Sequence, residues 1–175
     1  MTSTRRPPSD AEFAEFVHAT WSGLYRTAYL LVGEPWLAED LVQTALVKTY
    51  ANWSKVRDLS AAPGYARTTL VHTAGSWFRK RSWRNENPTP ELPERPIDQD
   101  LEDRSLLMGA LAQLPARQRA VVVLRFYEDL SVAVTAQTLG CSEGTVKSQT
   151  SAALHRLRQL LGDAVVPHEL GANHD

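Results

Sequence analysis

The stretch from Asn85 to Arg104 constrains the fold of this chain more than any other feature. It sets Pro88, Pro90, Pro93 and Pro96 among Glu86, Glu91, Glu94, Asp98, Asp100, Glu102 and Asp103, with few large apolar residues. Proline removes a backbone donor and is excluded from helix interiors, and clustered acids without apolar neighbours cannot bury a core. Residues 85–104 therefore read as an extended, acidic, proline-rich linker. The 175 residues fall into two short halves, 10–84 and 105–162, with a tail over 163–175. Each half can bury only a small core, because small domains hide a smaller share of their surface.

Both halves carry helical periodicity, and neither shows the period-two alternation of strands, so the expected fold is all-α with two small helical domains. Ser9 and Glu12 have the spacing of a capping box. Phe13, Phe16, Val17, Leu24, Ala28 and Leu31 then recur at helical spacing until Gly33 and Pro35. A second helix is expected from about Pro35 to Trp53, with Leu37, Leu41, Ala45 and Tyr50 inward. Asp58 to Gly64 reads as a turn. A third helix begins near Tyr65 and turns Ala66, Leu70, Ala74 and Trp77 to the core. Helices return at about Leu101: Leu106, Leu107, Ala110, Leu111 and Leu114 form one stripe, and Pro115 suits a first helical position before Val121, Val122 and Leu124. Ser131 can cap a short helix to Leu139, Gly140 can take the left-handed turn, and Ser142 can cap the last helix. That helix carries Val146, Leu154, Leu157 and Leu161 on one face and stops at Gly162.

The formal net charge of −1 conceals a partition. Between Tyr65 and Arg84 the charged residues are Arg67, Arg79, Lys80, Arg81 and Arg84, with no acid. The linker reverses the sign, and from Ser142 to Leu161 Lys147, Arg156 and Arg158 face Glu143 alone. Two basic segments flanking an acidic one suit a polyanionic partner held at two places. A single cysteine, Cys141, rules out an intrachain disulfide, which fits a reducing cytoplasm. No apolar run approaches the ~20 residues of a membrane span, and no secretory leader follows Arg5 and Arg6. No phosphate-cradling glycine loop, metal-spaced His/Cys set or nucleophile motif occurs, so no catalytic residue, cofactor or metal is expected.

Leu130 to Leu161 has the layout of a helix-turn-helix, whose second helix enters the major groove of duplex DNA. Its outer face must be polar near the N-terminus to reach base edges. Lys147, Ser148 and Ser151 meet that demand, with Gln149 and His155 nearby. An amphipathic helix pair with a solvated face would look much the same. The runs Leu114-Pro-Ala-Arg-Gln-Arg119, Leu139-Gly-Cys-Ser-Glu-Gly-Thr-Val-Lys-Ser148 and Ala153-Leu-His-Arg-Leu-Arg158 resemble region 4 of the extracytoplasmic-function RNA polymerase sigma factors. The resemblance implies binding of the promoter −35 element through Ser142, Thr145, Lys147, Ser148, Gln149, Ser151, Ala152 and His155. It also implies contact with the polymerase flap. Ala152 and Gln149 stand where arginines are common in that family. Val134-Thr135 stands where Glu-Ile is usual, so a hydroxyl is expected in the core and a valine in water.

The N-terminal half is similar to region 2 of the same family. Ala38-Glu-Asp-Leu-Val-Gln43 matches the helix that docks on the clamp helices of the polymerase largest subunit, which implies that Glu39, Asp40, Leu41, Val42 and Gln43 bind core polymerase. Read from the residues alone, the acids also suit an ordinary helix first turn. Tyr65 to Arg84 matches the segment that melts and reads the −10 element. Melted DNA needs planar surfaces beside cations. Trp77, Phe78 and Trp83 lie among Arg79, Lys80, Arg81 and Arg84. With Arg67, His72 and Ser76 they make the implied −10 set; His72 and Ser76 stand where the family has asparagines. Trp77 is equally suited to core packing. The resemblance covers about residues 10 to 162 and is closest to the actinobacterial sigma-E-like branch. It implies a cytoplasmic transcription initiation factor with core RNA polymerase, duplex −35 DNA and melted −10 DNA as partners, an anti-sigma factor as a candidate regulator, and no membrane contact. The competing reading is a stand-alone helix-turn-helix regulator with an N-terminal dimerisation domain.

Overall fold

The computed structural model describes residues 7–80 and 99–162. Among them every regular element is helical: α1 (Asp10–Val32), α2 (Pro35–Ala51), α3 (Ala62–Lys80), α4 (Gln99–Ala112), α5 (Ala116–Val122), α6 (Val132–Leu139) and α7 (Glu143–Leu161). Short 3₁₀ turns occupy Trp53–Lys55 and Leu59–Ala61, and one π turn covers Val123–Tyr127. Backbone contacts gather the chain into two compact units, Met1–Gly75 and Ser76–Asp175, with the division inside α3. Arg81, Trp83, Arg84, the proline-rich run and the tail after Gly162 lie outside the described residues.

In the first unit the Ser9 side chain accepts from the Glu12 N–H at 3.3 Å, and Glu12 Oε2 accepts from the Ser9 N–H at 2.6 Å. This reciprocal pair starts α1 where the capping-box spacing predicts. Gly33, at φ 76°, ends it in the left-handed conformation that glycine adopts without a Cβ clash. α1 and α2 pack along their lengths, with Ala28, Leu31, Ala38, Leu41, Val42, Ala45, Ala66 and Leu70 fully buried. Trp53 folds back under α1. Its indole N–H donates to the Ser9 carbonyl at 3.1 Å, and Phe13 and Phe16 set their rings at 5.0 and 5.2 Å from it. Tyr50, expected inward, is instead 48% exposed, with its hydroxyl donating to Asp10 at 2.9 Å. α3 starts three residues before Tyr65, at Ala62, with Pro63 in its first turn, where proline's missing N–H has no helical role. At its far end, within the second unit, Phe78 is buried whereas Trp77, expected inward, is half-buried.

In the second unit α4 begins at Gln99, two residues before the expected return of helix at about Leu101 and inside the residues read as linker, since the last proline of the run is Pro96. Leu106 and Leu107 share the face of Ala110, Leu111 and Leu114 but are exposed, because burial along α4 begins only at Gly109. Pro115 is the N-cap of α5 rather than its first residue. The core comprises Leu114, Val121, Leu124, Leu139, Val146, Leu154 and Leu157. Arg125, buried, donates to the Leu130 carbonyl at 2.5 Å and fixes the bend before α6. Asp129 is in the left-handed region there at φ 54°, which aspartate tolerates better than most residues.

Val134 and Thr135 fall as the sequence implies. Val134 is exposed at 41%, whereas Thr135 is fully buried and its hydroxyl meets no hydrogen-bond partner. An orphaned buried hydroxyl costs about 1–3 kcal/mol. Thr135→Val keeps the shape and removes the orphan. It should stabilise the second unit by about 1 kcal/mol, read as a rise in its melting temperature of about 4–8 °C. An unchanged or lower melting temperature would show the hydroxyl to be satisfied in solution.

Candidate partner and nucleic-acid surfaces

α2 presents one continuous outward stripe. Trp36, Glu39, Asp40, Gln43, Val47 and Tyr50 recur at helical spacing, and all are exposed. At 1.5 Å per residue the stripe runs about 21 Å, the length of a helix-to-helix contact. Its two largest ends are held in place. The Trp36 indole donates to Glu34 at 2.6 Å, and the Tyr50 ring lies 4.9 Å from Phe13. The bond to Asp10 also holds the Tyr50 hydroxyl above the ordinary phenol pKa, because the carboxylate favours the protonated donor. Glu39, Asp40 and Gln43 lie on this face as the sequence predicts. Leu41 and Val42 do not: both are 0% exposed and belong to the core of the first unit. Trp36, Val47 and Tyr50 were missed, although their spacing of seven and four residues from Gln43 was visible.

α3 carries a second stripe. Tyr65, Thr69, His72 and Ser76 lie within about a quarter-turn of one another, with Tyr65 and His72 exposed. Arg67 is exposed on another face of the helix. Arg79 and Lys80 are exposed at its end, within the second unit, where the Arg79 guanidinium donates to the Thr138 carbonyl. Trp77 retains an accessible edge, whereas Phe78 is withdrawn from any stacking role. Beside the N-terminal end of this stripe lies a cleft of about 340 Å³ that the sequence reading missed entirely. Asn52, Lys55, Val56, Arg57, Asp58 and Tyr65 border it. Ligand clefts span roughly 300–1,000 Å³, so this one suits a single ring system rather than an extended molecule.

In the second unit α6, the Gly140 turn and α7 form the helix-turn-helix. Gly140 has φ 64°, and the Cys141 N–H reaches back to the Ala136 carbonyl at 3.0 Å. Cys141 is half-buried; burial pushes its thiol pKa up, and Arg117 only partly opposes this. It is a packing residue rather than a reactive thiolate. Ser142 caps α7, accepting from the Thr145 N–H at 3.1 Å, and its hydroxyl pairs with that of Thr145 at 2.9 Å. These two residues thus shape the helix N-terminus first. Lys147, Ser148, Ser151 and His155 are exposed on one face of α7, and Ala152 is exposed at its edge. Gln149 and Thr145 are half-buried toward the sides. Lys147 is the one cation on that face among the described residues, since Arg156 points to the other side.

Comparison with known proteins agrees with both units. Residues 8–84 match the family model of Sigma-70 region 2, and residues 110–159 match that of Sigma-70, region 4. The chain is 45% identical over 153 residues to the RNA polymerase sigma-E factor of Streptomyces coelicolor, covering 86% of each. It is 35% identical to the ECF RNA polymerase sigma factor SigL of Mycobacterium tuberculosis, over 79% of this chain and 82% of that one. Among solved structures it is similar to the sigma factor RpoE of Bartonella quintana, crystallised with the anti-sigma factor NepR. The TM-score is 0.53 and the identity 27%, over 86% of this chain and 96% of that one.

Proposed function

The chain belongs to the sigma-70 family, in its extracytoplasmic-function group of RNA polymerase sigma factors, and from that premise we propose how its surfaces divide the work of promoter recognition. The protein binds core RNA polymerase and directs promoter-specific initiation. The α2 stripe docks on the clamp helices of the largest subunit: Glu39 and Asp40 meet basic side chains there, and Trp36, Val47 and Tyr50 bury apolar area between them. The exposed stripe of α3 with His72, Ser76, the edge of Trp77, Arg79 and Lys80, together with Arg67 on another face of the helix, holds the melted −10 strand, and the cleft beside Tyr65 receives a base turned out of the stack. α7 enters the major groove at the −35 element and reads it through Lys147, Ser148, Ser151 and His155. Two weak attachments on one chain give useful affinity through high effective concentration.

The protein contributes promoter choice and strand capture; the chemistry of nucleotide addition remains with the polymerase. It acts in the cytoplasm, where polymerase and chromosome meet. No helix among the described residues is long and apolar enough to cross a membrane. An anti-sigma factor of the kind bound to the Bartonella protein would silence it by covering the same surfaces. The observation that carries this reading over a stand-alone regulator is the α2 stripe, a protein-docking face that DNA binding by α7 does not require. In vitro transcription tests it. Chain plus core polymerase on fragmented genomic DNA should give discrete new starts preceded by two shared motifs at fixed spacing. Tight dimeric binding to duplex half-sites, with no chain-dependent starts, would favour the regulator instead.

A further inference from the structure

Lys48 projects from α2 toward α3, and its ammonium donates to the Thr73 hydroxyl at 3.2 Å. Thr73 is 2% exposed, and its own hydroxyl proton goes to the Thr69 carbonyl at 2.7 Å. The Thr73 oxygen is therefore committed as an acceptor toward Lys48. The lysine is exposed, and among the described residues no carboxylate pairs with it. Fixing a four-carbon side chain costs conformational entropy that one bond to a neutral hydroxyl barely offsets. The tether uses one of the three ammonium protons and leaves two for an anion. Lys48 also stands apart from the docking stripe of α2, about 100° round the helix from Val47.

The α3 stripe needs such a cation. From Tyr65 to Ser76 it runs about 16 Å, the span of about five phosphates at ~3.4 Å each. Tyr65, Thr69, His72 and Ser76 carry no lysine or arginine charge; Arg67 is on another face, and Arg79 and Lys80 come only at the helix end. Thr73 follows His72 and lies one turn beyond Thr69, so its bond brings the Lys48 ammonium to the flank of the stripe at mid-length. We propose that Lys48 is a further DNA-binding residue: its ammonium, held in place by the positioning residue Thr73, binds a backbone phosphate of the melted −10 strand beside His72. Strand capture then draws on α2 as well as α3. The contact carries no base information; it sets how strongly the strand is held, whatever its sequence. This inference rests on the reading of the α3 stripe as the surface that holds the melted strand.

The test titrates holoenzyme with fork-junction promoter DNA whose −10 non-template strand is single-stranded, across a series of salt concentrations. A second set of forks replaces one −10 phosphate at a time with a neutral methylphosphonate. Lys48→Met keeps the alkyl stem and removes the charge. It should weaken binding about fourfold near 0.15 M salt, equally for every −10 sequence, and lower the slope of log K against log salt by about 0.7, the value of one phosphate on a single strand. One methylphosphonate linkage should reproduce that loss with the native chain and cost Lys48→Met nothing more. Thr73→Val keeps the charge, so it should leave the slope unchanged while reducing the penalty at that same linkage. Affinity and slope unaffected by Lys48→Met, or a loss that appears in binding to core polymerase instead, overturns the proposal. His72→Ala separates the two levels. If it alters −10 binding while Lys48→Met does not, α3 still holds the strand and only Lys48 is wrong; if neither variant matters, the reading of the α3 stripe falls as well.

Discussion

Val47→Arg should weaken binding to core RNA polymerase by about 100-fold while leaving the melting temperature of the chain nearly unchanged. Val47 is 68% exposed on the α2 stripe between Gln43 and Tyr50, so the fold gains little from it. An apolar hot-spot contact in a docking interface is worth about 2–4 kcal/mol, and a cation placed against a basic clamp helix adds repulsion. Leu41→Ala should behave in the opposite way. Leu41 is fully buried, and truncating such a leucine costs about 2–5 kcal/mol, enough to melt a small domain at working temperatures. Two residues six positions apart on one helix thus separate docking from stability. Titration against labelled core enzyme, with thermal denaturation in parallel, reads both. If Val47→Arg binds core polymerase as tightly as the native chain, the stripe is not the docking face.

The contrast also marks where sequence reading ran out. Local signals were sufficient for the helices. The Ser9–Glu12 pair, Gly33, Ser131, Gly140 and Ser142 each act within a few residues of themselves, and each does in the structure what its chemistry predicts. Which face of a helix is covered depends on distant residues, and there the reading slipped. Leu41 and Val42 lie within the stretch that resembles a docking motif, yet they are fully buried. Tyr50, expected inward, lies half a turn away from Leu41 and in line with Gln43, and is exposed. Leu106 and Leu107 continue a genuine apolar stripe but are exposed among the described residues. The cleft could not be read at all. Its walls come from the end of α2, two 3₁₀ turns and the start of α3, and no spacing rule joins Asn52 to Tyr65. Thr135 shows the reverse case. A polar residue in an apolar register is visible in sequence, and the structure leaves it with no partner.

Lys147→Ala should reduce transcription from promoters that depend on the −35 element by about tenfold or more. Its face of α7 carries no other lysine or arginine: Ser148, Ser151 and His155 accompany it, and Ala152 offers only a methyl group. One lysine therefore supplies most of the attraction to the groove, whether it meets a guanine edge, at about 1–3 kcal/mol, or a phosphate. The two contacts leave different traces. Loss of a base contact relaxes the preference for one −35 base pair and leaves the salt dependence of binding alone. Loss of a phosphate contact weakens all sequences alike and lowers the slope of log K against log salt by about one. The position of Lys147 near the capped N-terminus of α7, with Ser151 one turn further on, is that of a residue which reaches base edges. The expected result is thus a broadened −35 preference at one base pair with an unchanged slope. Arg156→Ala, on the opposite side of α7, should spare the preference. If Lys147→Ala leaves −35-dependent transcription intact, α7 does not read the promoter through this face.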